Sequence, residues 1–187
     1  MCDKNNSKPR RIKALCFVAH PDDCIIYAKP FIDATPYLDW SILYLTYNKK
    51  HPRGAEIAEY WKCDTDFLEL PDYTKDILTN KSAISEELIL RLSEPYIENT
   101  DLLLTHGKDG EYGHIHHKLI HRACQFVNIA KVFFSDQGLM ISNKQINTDS
   151  LPLHKRDILK YHNNVRMYDI SSDARSIIIE AKDNDTR

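Results

Sequence analysis

The segment "IKALCFVA" (Ile12 to Ala19) is nearly continuous in apolar side chains and then stops at "HPDDC" (His20 to Cys24). A strand with one face in water alternates polar and apolar residues. An unbroken apolar run instead marks a strand covered on both faces, the usual situation of a central strand in a parallel sheet. Two adjacent aspartates directly after such a strand repel each other, and burying either without a partner is costly. The stretch is therefore either a solvated turn or the seat of something positively charged.

The rest of the chain continues the alternation. "CIIYAKPFID" (Cys24 to Asp33) reads as a short helix interrupted near Pro30, and "WSILYLTYN" (Trp40 to Asn48) as a second strand. "PRGAEIAEYWKC" (Pro52 to Cys63) starts on a helix-initiating proline and places Ile57, Tyr60 and Trp61 at helical spacing. "DFLEL" (Asp66 to Leu70) is a third strand. The helix of "SAISEELILRLSEPYIE" (Ser82 to Glu98) puts Ile84, Leu88 and Leu92 on one face and ends or kinks near Pro95. "DLLLTH" (Asp101 to His106) and "KVFFSD" (Lys131 to Asp136) are strands four and five, joined by the helical "HIHHKLIHRACQFVNIA" (His114 to Ala130). "PLHKRDILKYH" (Pro152 to His162) is the last expected helix, and the final "KDNDTR" reads as frayed. Such alternation implies βαβ units and an α/β fold, a three-layer sandwich on a mostly parallel sheet of about five strands. The 187 residues suit one domain, 1–187, with a core over about residues 12–165.

Composition excludes several classes of function. A formal net charge of -2 and a single basic cluster, "KPRRIK" (Lys8 to Lys13), argue against nucleic acid as partner; the cluster reads as a solvated leader. No apolar stretch approaches a membrane span, and the polar first ten residues lack a secretory pattern. The five cysteines are odd in number, dispersed and without C-x-x-C, which fits reduced thiols and a cytoplasmic location. Cys16 and Cys124, in apolar surroundings, are expected as core filler. Nucleotide binding lacks both G-x-G-x-x-G after the first strand and G-x-x-x-x-G-K-[ST].

In open parallel sheets ligands bind beyond the carboxyl ends of the strands. His20 to Asp23 follow the first strand and "THGKDGEYGHIHH" (Thr105 to His117) spans the end of the fourth, so both clusters are expected on one edge. Histidine and aspartate suit zinc and similar divalent ions, whose catalytic sites use three protein ligands. His20 and Asp23 with one histidine of the second cluster supply such a set, leaving Asp22 as a general base. If the second cluster is helical from His114 onward, His114, His117 and His121 share a face and His116 points away. Spacing alone also allows His117 and His121 as an i, i+4 metal pair, and His106 is equally compatible with a structural role.

"AHPDDC" and "GEYGHIHH" together resemble the LmbE-like, or PIG-L, family of zinc-dependent N-deacetylases, whose motifs are A-H-P-D-D-E and G-H-x-D-H. The resemblance spans roughly residues 12–136 and takes in "RGAEIAEYWKCDTDFLELPD" (Arg53 to Asp72), similar to the family's R-x-x-E helix. It implies a Rossmann-like sheet, Zn2+ as cofactor and removal of an N-acetyl group from an amino-sugar-containing substrate. By position it implies His20, Asp23 and His117 as metal ligands and Asp22 as general base. His114 becomes the residue that stabilises the tetrahedral intermediate or protonates the leaving amine, Tyr112 a support for the oxyanion, and Arg53 a substrate contact. Two positions depart from the pattern: Cys24 stands for Glu and His116 for Asp, and neither acquires a role. A small-molecule or glycoconjugate substrate is the expected partner, and a homo-oligomer is compatible with the pattern. The alternatives are an amidase acting with the same site on another amide or thiol conjugate, and a non-catalytic sugar- or metal-binding domain.

Overall fold

Alternate residues of the first strand enter two separate cores, which is why its sequence shows no alternation. β1 (Lys13–Val18) sends Ala14, Cys16 and Val18 into one apolar cluster, and Leu15 and Phe17, followed by Ala19, into the other. Each large apolar side chain so enclosed contributes about 1.5–3 kcal/mol. The structure, a computed structural model, describes residues 10–72, 84–134 and 168–185.

A π-helical turn (Cys24–Ala28) runs into α1 (Lys29–Ala34), with Pro30 in its first turn, where a missing N–H is tolerated. β2 (Asp39–Thr46), α2 (Pro52–Trp61), β3 (Asp64–Leu70), α3 (Glu86–Ile97) and β4 (Leu102–Thr105) follow. A distorted turn, α4 (Gly110–Gly113), precedes α5 (Ile115–Gln125), β5 (Ala130–Phe134), β6 (Tyr168–Ile170) and α6 (Ser172–Asp185). The sheet order is β3-β2-β1-β4-β5-β6, parallel except for β6, which pairs antiparallel with β5. Side chains of α1, α2 and α6 join the first core, and those of α3 and α5 the second, giving the three layers.

Successive connections leave β1 toward β2 on one side, while β4 lies on the other. The chain reverses between β1 and β4, and their carboxyl ends form the crevice of a doubly wound sheet. Hydroxyls fix these ends. Thr105 Oγ1 donates to the Phe17 carbonyl at 2.7 Å, and Thr46 Oγ1 donates to the Ala19 carbonyl at 2.8 Å.

Several expectations shift. The sheet has six strands, because the three residues of β6 are too few to show a period. The inward face of α3 is centred on Ile89, Ser93 and Ile97, one position from Leu88 and Leu92, and the helix passes through Pro95. Residues Lys182 to Asp185, read as frayed, form the end of α6. The expected helix at Pro152 to His162 lies outside the described residues, as do Ser135 and Asp136. Cys16 and Cys124 are buried, as expected. Among the described residues no helix is long and apolar enough to cross a membrane.

Gly54, next to Arg53, lets α2 approach β3. A Cβ at that position would sit 2.5 Å from Phe67 Cζ, inside the aromatic ring's contact distance. Gly54→Ala is therefore expected to destabilise by about 1–3 kcal/mol through overpacking, against a helix-propensity gain of about 1 kcal/mol. Urea unfolding measures this, and Phe67→Leu in the same chain should restore part of the loss. A Gly54→Ala variant more stable than wild type would contradict this packing.

Candidate metal centre

Four of the five parallel strands deliver polar side chains to the same edge. The end of β1 contributes His20, Asp22 and Asp23, and that of β2 contributes Tyr47, His51 and Arg53. β3 supplies Asp72, and β4 supplies His106, Glu111, Tyr112, His114, His116 and His117.

The two aspartates of the opening motif separate in space. Asp23 is buried, and its Oδ2 accepts the His20 backbone N–H at 2.8 Å and lies 3.1 Å from His20 Nδ1. Burial would raise its pKa, but the nearby charge of His117, the bond from His20 and the nearby His106 hold it well below the usual carboxylate range. Asp22 remains partly exposed, and its charge reaches Tyr47, His51 and Tyr112.

Glu111 organises the other half. It is buried, and it adopts a left-handed backbone (φ 57°) between two glycines that also have positive φ, Gly110 and Gly113. Such a conformation is costly for a non-glycine residue and persists where surrounding contacts enforce it. Oε1 accepts the Gly107 N–H at 2.8 Å, while Oε2 lies 2.8 Å from His106 Nδ1 and 2.5 Å from His117 Nδ1. Burial alone would raise the Glu111 pKa; the imidazoles of His106 and His117 hold it at about 2. Of these two we assign the positive charge to His117, since burial and the proximity of His117 lower the His106 pKa.

His106 is structural. Its Nε2 accepts the Ala19 N–H at 3.0 Å, so its proton sits on Nδ1 and points to Glu111. No lone pair remains for a metal, although Asp23, His106 and His117 bring their donor atoms within 4.8 Å of one another. His117 is the reverse case. Nδ1–H is committed to Glu111, and Nε2 is buried without a hydrogen-bond partner, with Asp23 Oδ2 3.2 Å away. Despite burial, Asp23 and Glu111 on either side raise its pKa to about 10. A carboxylate that fixes one ring nitrogen while the other faces a cation site is the usual support of a histidine ligand.

Asp23 Oδ2 thus stands 3.1 Å from His20 Nδ1 and 3.2 Å from His117 Nε2. Ligands about 2.1 Å from a tetrahedral zinc lie about 3.4 Å apart, and each of these two distances to Asp23 is close to that spacing. His114 also approaches: His20, His114 and His117 offer donor atoms within 4.8 Å of one another. His114 Nδ1 is buried and unpartnered, and burial together with the nearby His117, His20 and His116 lowers its pKa to about 4. Tyr112 is 52% exposed, its ring 5.6 Å from that of His114. Burial and neighbouring carboxylates, Asp23 foremost, raise the Tyr112 pKa. Arg53 lies at the same edge, and its charge reaches Tyr47 and His51.

Three sequence expectations are corrected. α5 begins at Ile115, so His114 is its extended N-cap rather than part of the helical face. His116 does not point away: it is fully buried, with Nδ1 3.4 Å from His20 Nε2. His121 does not join His117, because its Nδ1 donates to the His106 carbonyl at 3.0 Å. Cys24 is buried in the π turn, Sγ 3.3 Å from the Pro21 carbonyl and 3.5 Å from the Tyr44 hydroxyl, and serves packing. Sequence reading passed over Glu111 and Asp72. Asp72 follows the end of β3 by two residues, where the carboxyl-edge rule applied to that strand points.

No family model and no curated protein matches the sequence. Among solved structures, a deacetylase of teicoplanin biosynthesis in complex with teicoplanin aligns with 92% of this chain and 86% of its own. Its identity is 11% and its TM-score 0.50. An N,N'-diacetylchitobiose deacetylase from Pyrococcus horikoshii aligns with 93% of this chain and 76% of its own, at 15% identity and TM-score 0.49. The 4-carboxy-2-hydroxymuconate hydratase from Pseudomonas putida KT2440 aligns with 66% of this chain at 14% identity and TM-score 0.48; the match spans 65% of the hydratase. The chain has the α/β fold of the teicoplanin deacetylase.

Two outcomes test the geometry. Glu111→Gln should weaken zinc binding about 10- to 100-fold in a competition titration. In the metal-free chain Glu111, depressed from 4.5 to about 2, stabilises the fold fully above pH 4.5, and this is lost as pH falls through 2. The stability gap between wild type and Glu111→Gln, up to about 3 kcal/mol, should narrow over that range in urea unfolding. His114→Ala should retain its metal; loss of the metal would make His114 a ligand.

Proposed function

We propose that the chain is a zinc-dependent hydrolase of the LmbE-like, PIG-L type that removes the N-acetyl group from an amino-sugar-containing substrate. One observation carries this reading. A buried, hydrogen-bonded Asp23 and a partly exposed Asp22 stand side by side at the edge where His117 turns its unpartnered Nε2. A binding module needs the first carboxylate but has no use for the second. The two motifs and the fold shared with the teicoplanin deacetylase support the reading.

In this scheme His20, Asp23 and His117 hold the zinc, and the ion supplies Lewis acidity toward a carbonyl oxygen and toward water. The Asp22 carboxylate accepts the proton of the water that attacks the acetyl carbon. His114, neutral near pH 7 because its pKa lies at about 4, donates an N–H to the developing oxyanion. A neutral imidazole is a hydrogen-bond donor here rather than a store of protons, so the leaving amine takes its proton from Asp22. Tyr112, kept protonated by the neighbouring carboxylates, offers a second donor from the mouth of the site. Arg53 faces the polar groups of a small-molecule or glycoconjugate substrate. Acetate and a free amino sugar leave.

Acetate release from a panel of N-acetylglucosamine derivatives tests the activity. Asp22→Asn should lower turnover at least about 100-fold, as expected for loss of a general base, while elemental analysis finds the zinc retained. Full turnover in that variant would remove Asp22 from the mechanism. Wild-type chain releasing no acetate from any of these substrates, with zinc bound, would sink the deacetylase reading.

A further inference from the structure

The scheme above uses one ring nitrogen of His20 and leaves His116 and Asp72 idle. The other nitrogen, His20 Nε2, faces both of them. It lies 3.4 Å from His116 Nδ1 and 3.5 Å from Asp72 Oδ1, and the triangle closes with 3.7 Å between His116 Nδ1 and Asp72 Oδ1. These sides are long for strong hydrogen bonds but close to the donor–donor spacing of about 3.4 Å around a tetrahedral ion with bonds of about 2.1 Å.

The satisfaction of these atoms points the same way. Asp72 Oδ2 accepts the Tyr47 hydroxyl at 2.7 Å, but Oδ1 is buried and has no hydrogen-bond partner. His116 is fully buried and turns Nδ1 toward both His20 Nε2 and Asp72 Oδ1. With the His20 proton directed at Asp23, its Nε2 carries a lone pair that meets His116 Nδ1 at 3.4 Å and, at 3.5 Å, the Asp72 oxygen that no donor reaches. Two such acceptors facing each other lack a positive charge between them. His116 stands where the G-H-x-D-H pattern has an aspartate, so this chain has a nitrogen donor at a position where that pattern has a carboxylate.

We propose that His20 Nε2, His116 Nδ1 and Asp72 Oδ1 form a second divalent-cation site, distinct from the set of His20 Nδ1, Asp23 and His117. Two imidazoles and one carboxylate select zinc, cobalt or a similar borderline ion over magnesium or calcium. His20 is shared, so filling both sites makes it a bridging imidazolate, and its remaining ring proton passes to solvent. The inference concerns metal content and does not depend on which bond the enzyme cleaves.

The test is stoichiometry on the full chain, stripped with a chelator and titrated with Zn2+ by calorimetry, with elemental analysis after gel filtration. Wild type should hold two equivalents. Asp72→Asn and His116→Gln should each hold one, His117→Gln one, and His20→Ala none. Asp72 is 22% exposed at its side chain, so its isosteric amide keeps the test available if the buried His116 variant does not fold. Cobalt spectra of wild type should show two saturating phases, and of Asp72→Asn one. A single equivalent in wild type overturns the proposal, and so does a second equivalent that survives Asp72→Asn. Two equivalents without acetate release would sink the deacetylase reading and leave the second site standing; one equivalent with full activity would do the reverse.

Discussion

One line of buried contacts joins the two strand ends on which the site depends. It runs from the Ala19 N–H to His106, from His106 to Glu111, from Glu111 to His117, and from His117 to Asp23 and back to His20. Each link decides the proton position of the next. The Ala19 N–H fixes the His106 tautomer, which turns an N–H to Glu111. Glu111 then accepts a hydrogen bond from His117 Nδ1–H and leaves Nε2 toward Asp23. A backbone amide of β1 thus sets the chemistry available on a histidine of α5.

This line also explains how adjacent carboxylates are tolerated after a buried strand. Asp23 turns inward, where imidazoles and a backbone N–H surround it, while Asp22 stays partly in solvent. The repulsion between the paired carboxylates of the motif is divided between two environments. Burial of Asp23 is costly only without these donors, and the fold assembles them from a distant part of the chain.

What could be read from the sequence depended on whether the cause was local. The continuous apolar run at β1 and the polar residues that follow it are a local signature, and they gave the sheet and the edge on which the site lies. The tie between Asp23 and His20 is three residues long and was implicit in the motif. Glu111 was not legible, because its role rests on a left-handed backbone and on histidines five positions before and six after it. His116 was misplaced because α5 begins one residue later than a continuous helix would, which turns the ring toward His20. Asp72 reaches His20 from the end of β3, two strands from β1, a neighbourhood that only the sheet order creates. The teicoplanin deacetylase, at 11% identity, shares this fold, so layered burial at strand positions constrains architecture more than residue identity does.

The distances along the chain carry a further consequence. Ala19 and His106 are 87 residues apart, and His20 and His116 are 96 apart. Both proposed sets draw donors from the two halves of the chain, His20, Asp23 and Asp72 from one and His116 and His117 from the other. A polypeptide emerging from synthesis presents His20 and Asp23 long before Glu111 and His117 exist, so the proposed zinc set is complete only once β4 has closed against β1. On the proposed reading, metal acquisition is an event of completed topology, because the donor set closes only when the most distant contacts in the sheet have formed.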